Sequence, residues 1–196
     1  VLTTCLPFRT LSNRKFIERS SLMKTTKKWL EDVLSNQKLM VDWLKKQYHG
    51  EVTAAERIRA FARQFTTTKR NERTLELIAS QEELHAEWVA GLLRARGINP
   101  EVLVKKERYW DETLPGISDF STGAAVASHA ERMRLERIRA LCTHPQVPSD
   151  IREVFEKILP QEEFHERAFG RMAGDEALRS TKDNHERGLK ALGLVM

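Results

Sequence analysis

A chain of 196 residues with a formal net charge of +5 is long enough for one domain with a full-sized core. Its basic and acidic residues are interleaved, which is typical of solvated helix faces and argues against nucleic acid as a partner. No apolar run reaches the ~20 residues that a membrane-spanning helix needs.

The first 22 residues form a basic segment rich in Ser and Thr, in which Glu18 is the one acid. This composition leaves three interpretations open: an organellar leader, residues ahead of a start at Met23, or an extra segment packed on the protein. Cys5 and Cys142 are isolated thiols that belong to neither a disulfide framework nor a paired-cysteine metal site. This cysteine usage favours a reducing compartment, and we expect a cytoplasmic protein unless the segment is a leader.

The composition favours an all-α fold, because Pro and Gly are scarce while Leu, Ala, Glu, Lys and Arg are plentiful. A short amphipathic helix is predicted over residues 25–34. Ser35 or Asn36 offers a cap for the first long helix, which is predicted to extend to Phe65.

The second long helix is predicted over residues 71–96, and it stops at Gly97. A connection over residues 98–120 follows, and its length suits a crossover along a helix bundle. The third long helix is predicted over residues 121–141.

The fourth long helix is predicted over residues 149–172, with Ser149 as its cap. Pro160 lies within it and predicts a kink or local loosening. Gly174 ends it, and a last helix is predicted over residues 175–192.

Three parts of the chain follow from these elements. Residues 1–34 form an N-terminal extension with a short helix, residues 35–172 form a four-helix bundle, and residues 173–196 form a C-terminal helix. In the bundle, two antiparallel helix hairpins are joined by the long crossover between the second and third helices.

An internal repeat carries the chemistry of this sequence. Glu82-x-x-His85 recurs 80 residues later as Glu162-x-x-His165, and thirteen of the 37 positions from His49 to His85 are identical to their partners at that offset. Each half supplies one Glu and then one Glu-x-x-His, which is the set that builds a two-metal carboxylate site in a four-helix bundle. The candidate metal ligands are Glu51, Glu82, His85, Glu131, Glu162 and His165.

The spacing within each motif has a physical reason. Residues i and i+3 lie on one face of a helix, so the Glu and the His can bind the same metal centre. Apolar residues surround each candidate carboxylate on its helix face, as Leu44 and Ile58 do for Glu51. Burying a carboxylate without compensation costs several kcal/mol, and bound cations would provide that compensation.

Several other polar residues have less direct interpretations. Glu83 and Glu163 are repeated too, but they point away from the ligand face, which favours solvation or inter-helix salt bridges over a metal role. Tyr48 lies one turn before Glu51; a buried aromatic with a satisfied hydroxyl is favoured over a catalytic role near the metals. Arg134 is expected to reach the bundle edge and pair with a surface acid, with an anion or substrate contact as the alternative.

The repeated histidines His49 and His129 lie nearly opposite Glu51 and Glu131 on their helices. They share a helix face with Glu56 and Glu136, seven residues further on. A structural His–Glu contact is therefore favoured over metal binding.

With these motifs in place, the chain resembles the ferritin-like superfamily of di-iron carboxylate proteins over residues 35–172. In that superfamily the first and third helices each give one Glu, and the second and fourth give Glu-x-x-His, which matches the six candidate ligands. The stretch from His49 to Ile58 is similar to the demethoxyubiquinone hydroxylases, although that family has a longer gap between its last two ligand helices. Rubrerythrins also show both Glu-x-x-His motifs; the paired cysteines of their rubredoxin domain are not in this sequence.

The resemblance implies two bound iron ions, or manganese in their place, and three functions remain open. The first is an oxidase or hydroxylase that activates O2 or peroxide and acts on a small organic substrate with an electron donor. The second is a ferroxidase that handles iron or scavenges peroxide, and the third is a structural metal site. The complete ligand set argues against the third, and the long crossover and extra segments favour the first. We also expect a homodimer or a larger homo-oligomer.

Overall fold

Four long helices account for most of the chain, and shorter helices flank and connect them. The computed structural model describes residues 25–65 and 68–194. The helices in these two ranges are α1 (Thr26–Leu34), α2 (Gln37–Phe65), α3 (Lys69–Arg94), α4 (Arg108–Thr113), α5 (Phe120–Thr143), α6 (Ser149–Ser180) and α7 (Lys182–Leu192), with a 3-10 turn at Leu114–Gly116 after α4.

Side-chain caps explain where the helices begin. The Asn36 side chain accepts a hydrogen bond from the Lys38 backbone N–H at 2.7 Å, which confirms the predicted start of α2. Thr25 and Thr68 cap α1 and α3 in the same way. Asp119 caps α5 in a reciprocal capping box.

The helices pack in the predicted order, and the all-α four-helix arrangement is confirmed. Helix α2 packs along α3, and α5 packs along α6, so each half of the repeat forms an antiparallel hairpin; contacts between α3 and α6 join the hairpins. The crossover between α3 and α5 carries α4, which packs against α7, while α1 packs against α2 and α5. In the described ranges, no helix combines the length and the apolar character that crossing a membrane requires.

Two details of the fourth long helix differ from the prediction. Ser149 is not its cap: it is the first helical residue, and Pro148 occupies the cap position without a side-chain hydrogen bond. Helical dihedrals are lost at Gly174, with φ 73° and ψ 166°, and not at Pro160. Pro160 is exposed, so the carbonyl that loses its helical N–H partner faces water. The helix resumes after Gly174 and reaches Ser180, and α7 follows it.

The predictions for the N-terminal segment, including the start at Met23, lie outside the described residues.

The core consists of two apolar clusters. One includes Trp43, Leu93 and Phe155, and the other includes Ile78 and Phe169. On each long helix the candidate ligands lie in sequence between residues of the first cluster and residues of the second. The fold therefore places these polar side chains in a layer between two apolar layers.

Candidate metal centre

The four long helices bring the six candidate ligands together in the interior. The side chains divide into two groups, and within each group the ligand atoms lie within 4.8 Å of one another. Glu82 and Glu162 belong to both groups. The groups are Glu51, Glu82, His85 and Glu162 on one side, and Glu82, Glu131, Glu162 and His165 on the other. All six residues are buried.

The two shared carboxylates lie between the two imidazoles. The His85 Nδ1 atom is 3.3 Å from Glu162 and 3.8 Å from Glu82. The His165 Nδ1 atom is 3.1 Å from Glu82 and 3.7 Å from Glu162. The arrangement has approximate two-fold symmetry, as expected from the repeat, and it has the geometry of two cation sites that share two carboxylates.

Two glutamines orient the imidazoles from outside the cluster. His85 Nε2–H donates to the Gln161 carbonyl at 3.1 Å, and His165 Nε2–H donates to Gln81 at 2.9 Å. Each glutamine directly precedes the motif of its own half but contacts the histidine of the other half. With Nε2 fixed as a donor, Nδ1 is the ring nitrogen that faces the carboxylates and is available to a metal.

The donor atoms fit a pair of metal ions. Within the described residues, both carboxylate oxygens of Glu82 and of Glu162 are buried and form no hydrogen bond. The same holds for Nδ1 of His85 and of His165. Buried polar atoms without partners are costly, and cations coordinated by these oxygens and nitrogens would satisfy them.

Arg134 enters this cluster, and the prediction that it pairs with a surface acid at the bundle edge is wrong. Its guanidinium donates a hydrogen bond to Glu51, lies 3.2 Å from Glu162 and lies 3.7 Å from Glu82. The four buried carboxylates create a negative potential that attracts the nearest cation on α5. The equivalent position in the first half is Ala54, so the repeat gave no indication of this contact.

Two acids and both imidazoles of the cluster have shifted pKa values. Burial raises the pKa of Glu131 well above its usual range, and the nearby charges of Glu162 and Glu82 raise it further. Burial also acts to raise the pKa of Glu162, but Arg134, His165 and His85 outweigh it and hold that pKa well below its usual range.

The pKa of His85 is raised to about 9: burial acts to lower it, but the nearby carboxylates of Glu162 and Glu82 outweigh that effect. The pKa of His165 is raised for the same reasons. The cluster therefore balances its negative charge with protonated imidazoles and with Arg134.

The neighbouring repeated acids face away from the cluster, as predicted. Glu83 forms an ion pair with Arg59, and Glu163 forms one with Arg139 at 2.7 Å. Both are salt bridges between the two helices of a hairpin, and both arginines are equivalent residues of the repeat.

The predicted contacts of the repeated histidines with Glu56 and Glu136 are wrong. His49 instead binds the crossover: its Nε2 lies 2.6 Å from Glu107, and its Nδ1 accepts the Leu103 backbone N–H at 3.1 Å. The crossover lies over α2, so its acid is closer than the exposed Glu56.

His129 binds the C-terminal part of the chain. Its Nε2 lies 3.2 Å from the Leu178 carbonyl and from the Thr181 hydroxyl, and its ring stacks on His185 with centroids 4.8 Å apart. His185 also contacts the Tyr109 hydroxyl at 2.8 Å. The two repeated histidines thus each attach an added segment to the bundle.

Tyr48 is half-buried beside the first core cluster, and it lines a small cleft with Glu56 and Glu83. None of the residues that line this cleft is a candidate metal ligand. A catalytic role for Tyr48 remains a prediction.

A cavity of about 540 Å³ opens between α2 and α5 and reaches the cluster at Glu131 and Arg134. Gly50 and Ala54 line it from α2, and a Cβ atom added at Gly50 would meet no heavy atom within 4 Å. Small side chains therefore keep an open path to one side of the cluster.

Sequence reasoning assigned no role to Gln81 and Gln161, and it favoured the wrong partner for Arg134. The two glutamines had a usable signal, because they are identical across the repeat and adjoin a ligand. The sequence holds no comparable signal for Arg134, because the direction of its side chain depends on carboxylates of three other helices.

In the comparison with protein families, the model described as Rubrerythrin matches residues 42–173. This range is more than half of the chain and contains all six clustered residues. The comparisons with curated proteins and with solved structures return no match. On the family match, the chain belongs to the rubrerythrin family, within the ferritin-like superfamily of di-iron carboxylate proteins.

Proposed function

We propose that this protein is a di-iron carboxylate oxidoreductase that activates dioxygen or peroxide and oxidises or hydroxylates a small organic substrate. The observation that carries this proposal is the cavity between α2 and α5, which lets a molecule far larger than dioxygen reach Glu131. Oxygen or peroxide chemistry is common in the rubrerythrin family. An external electron donor would support repeated turnover.

The six clustered residues divide naturally between two metal ions. Glu51 and His85 would hold one ion, Glu131 and His165 would hold the other, and Glu82 and Glu162, which belong to both groups, would contribute to both sites. Bound iron would supply the electrons that reduce dioxygen or peroxide, and manganese is the alternative metal. Imidazole and carboxylate donors suit both metals.

The protein side chains would control the geometry and the access of this site. Gln81 and Gln161 hold the imidazole rings with Nδ1 toward the centre. Apolar layers on both sides keep Glu51, Glu82 and Glu162 away from water, which strengthens their interaction with cations. Arg134 stands between the cluster and the cavity, where its guanidinium can donate hydrogen bonds to either.

The test is anaerobic loading with ferrous iron, followed by metal analysis and rapid mixing with oxygen. We expect about two iron ions per chain from the paired ligand groups, and optical changes from oxidation at that stoichiometry. A stoichiometry near zero in protein with all six residues intact would overturn the proposal.

Aerobic addition of excess iron distinguishes the ferroxidase alternative. An oxidase should keep about two ions per chain and return to the ferrous form when a reductant is added. A ferroxidase should instead continue to oxidise iron well beyond that amount.

A further inference from the structure

The cavity between α2 and α5 has different chemistry at its two ends. The helices run antiparallel: the Phe61 ring stacks on Phe120 with centroids 5.3 Å apart, while Arg134 reaches back to Glu51. At one end of the cavity, the N-terminal part of α2 therefore faces the C-terminal part of α5. At the other end, the C-terminal part of α2 faces the N-terminal part of α5. Glu131 lines the cavity between these ends.

One end of the cavity is cationic. Lys46 and Gln47 of α2 and Arg137 of α5 line it. Arg137 lies over the Trp29 ring, 5.2 Å from its centroid, and no acid in the described residues forms an ion pair with Arg137 or Lys46. Burial lowers the pKa of Arg137, and the charge of Glu136 offsets only part of that effect. A partly desolvated guanidinium that forms no ion pair with a described acid favours the binding of an anion.

The other end of the cavity is apolar. Its lining consists mainly of Phe61, Phe65, Leu114, Ile117, Val126 and Phe169. Arg57 also lies there, but it packs 4.5 Å from the centroid of the Trp110 ring and interacts with the charges of Glu107 and Glu82. Four acids, among them Glu107 and Glu82, therefore act on the charge of Arg57, whereas among the described residues Glu136 is the one acid that acts on the charge of Arg137.

We propose that this cavity binds an organic anion with a long apolar body, of the medium-chain fatty acid class. The carboxylate lies against Arg137 and Lys46, the apolar body extends toward Phe61, and its middle passes Glu131. The cavity volume of about 540 Å³ falls within the range of small-molecule sites, roughly 300–1,000 Å³. The inference names the substrate class of the proposed function and rests on that function for the reaction, while the binding itself needs no redox chemistry.

Binding of three probes with the same twelve-carbon body tests the charge preference. Dodecanoate, dodecanol and dodecylammonium are titrated below their micelle-forming concentrations into zinc-loaded protein, and tryptophan fluorescence is followed because Trp43 and Trp110 line the cavity. We expect dodecanoate to bind at least tenfold more tightly than dodecanol, and dodecylammonium to bind more weakly than both. Equal affinity for dodecanoate and dodecanol, or no binding of dodecanoate, would overturn the inference.

Matched variants locate the probe. Arg137→Gln and Lys46→Gln should each weaken dodecanoate binding severalfold or more and leave dodecanol binding unchanged. Arg139→Gln and Lys45→Gln are the controls, because these cations lie close in sequence but do not line the cavity. Lys46 is exposed, so its variant remains informative if Arg137→Gln does not fold. Unchanged dodecanoate affinity in a folded Lys46→Gln protein and in a folded Arg137→Gln protein would contradict the proposed site.

A third variant tests the apolar end. Ala127→Phe should weaken dodecanoate and dodecanol binding equally, because the added ring fills the cavity without changing its charge. Zinc is redox-inert, so a failure of these titrations leaves the oxygen-consumption test of the ferrous protein unaffected. Conversely, if dodecanoate binds in a charge-dependent way but the ferrous protein consumes no oxygen, the proposed anion site is supported and the proposed oxidation reaction is overturned.

Discussion

At the scale of single residues, Glu82 and Glu162 hold equivalent positions, and each lies 3.1–3.8 Å from both imidazole Nδ1 atoms. We expect Glu82→Ala or Glu162→Ala to abolish oxygen consumption by the ferrous protein, because either change removes a carboxylate that both metal sites share. Rapid mixing with oxygen, followed optically, measures this.

The controls for these variants are Glu83→Ala and Glu163→Ala. They remove the same residue type one position along, where the side chains pair with Arg59 and Arg139. We expect a change in rate of less than about threefold, which is under about 1 kcal/mol of barrier. If Glu83→Ala were as damaging as Glu82→Ala, the assigned ligand faces would be wrong.

The glutamines give a second prediction at this scale. Gln81→Ala or Gln161→Ala removes the acceptor that orients a histidine of the opposite half. We expect metal affinity to fall by roughly 10- to 100-fold while the fold is retained. Competition with a metal chelator measures the affinity, and Gln146→Ala, at an exposed loop position, is the control. Wild-type affinity in both glutamine variants would show that the imidazoles are oriented by packing alone.

At the scale of elements, Gly174 separates the ligand-bearing part of α6 from the segment that His129 binds. Its φ of 73° with ψ of 166° is a conformation that side chains with a Cβ rarely adopt. We expect Gly174→Ala to lower the free energy of unfolding by roughly 1–3 kcal/mol in chemical denaturation.

Gly50→Ala is the control for that variant. Gly50 lies inside α2, and an added Cβ would meet no heavy atom within 4 Å. Helix propensity alone predicts a stabilisation of up to about 1 kcal/mol. Equal changes in the free energy of unfolding for the two substitutions would mean that the backbone conformation at Gly174 does not require glycine.

Sequence reasoning predicted the helices well because their signals are local. The cap at Asn36 and the stop at Gly97 lie at or within a few residues of the helix ends that they define. The two Glu-x-x-His motifs were equally readable, because their i, i+3 spacing and their repetition are visible in one sequence. The residues that the motifs bring together follow directly from the four-helix arrangement.

The errors concern contacts between elements that are distant in sequence. Arg134 turns inward because of carboxylates on three other helices, and His49 binds Glu107 because the crossover lies over α2. Pro160 was a local signal that failed, because its exposed position leaves the affected carbonyl to water. In each of these cases the result depends on the surroundings of the residue in the folded protein and not on the residue type alone.

At the scale of the whole molecule, the cluster couples stability to pH and to metal. The pKa of His85 is raised from 6.5 to about 9, so its contribution to stability is fully present below pH 6.5 and is lost as the pH rises through about 9. The raised pKa of Glu131 acts in the same direction. The lowered pKa of Glu162 acts oppositely, and its contribution is lost only as the pH falls below 4.5.

We therefore expect chelator-treated protein to be more stable at pH 6 than at pH 9, by on the order of 2 kcal/mol. Bound metal replaces the imidazole protons, so the loaded protein should be more stable overall and should lose less stability between these pH values. Urea denaturation of both forms at both pH values measures the difference. Identical denaturation curves for the chelated and loaded forms would show that the carboxylates do not converge on a metal.

Gln81 and Gln161 each contact the histidine of the opposite hairpin, and this exchange bears on how such a chain could have arisen. One hairpin carries a complete half-set: a Glu, a Glu-x-x-His, and a glutamine whose histidine partner lies on the other hairpin. A single ancestral hairpin could complete this set only by pairing with a second copy of itself about a two-fold axis. The two halves of the chain are thus arranged about an approximate two-fold axis, as two copies of one hairpin in a homodimer would be. Arg134 stands at the position where the first half has Ala54, and it is a point at which the two halves of the metal centre differ.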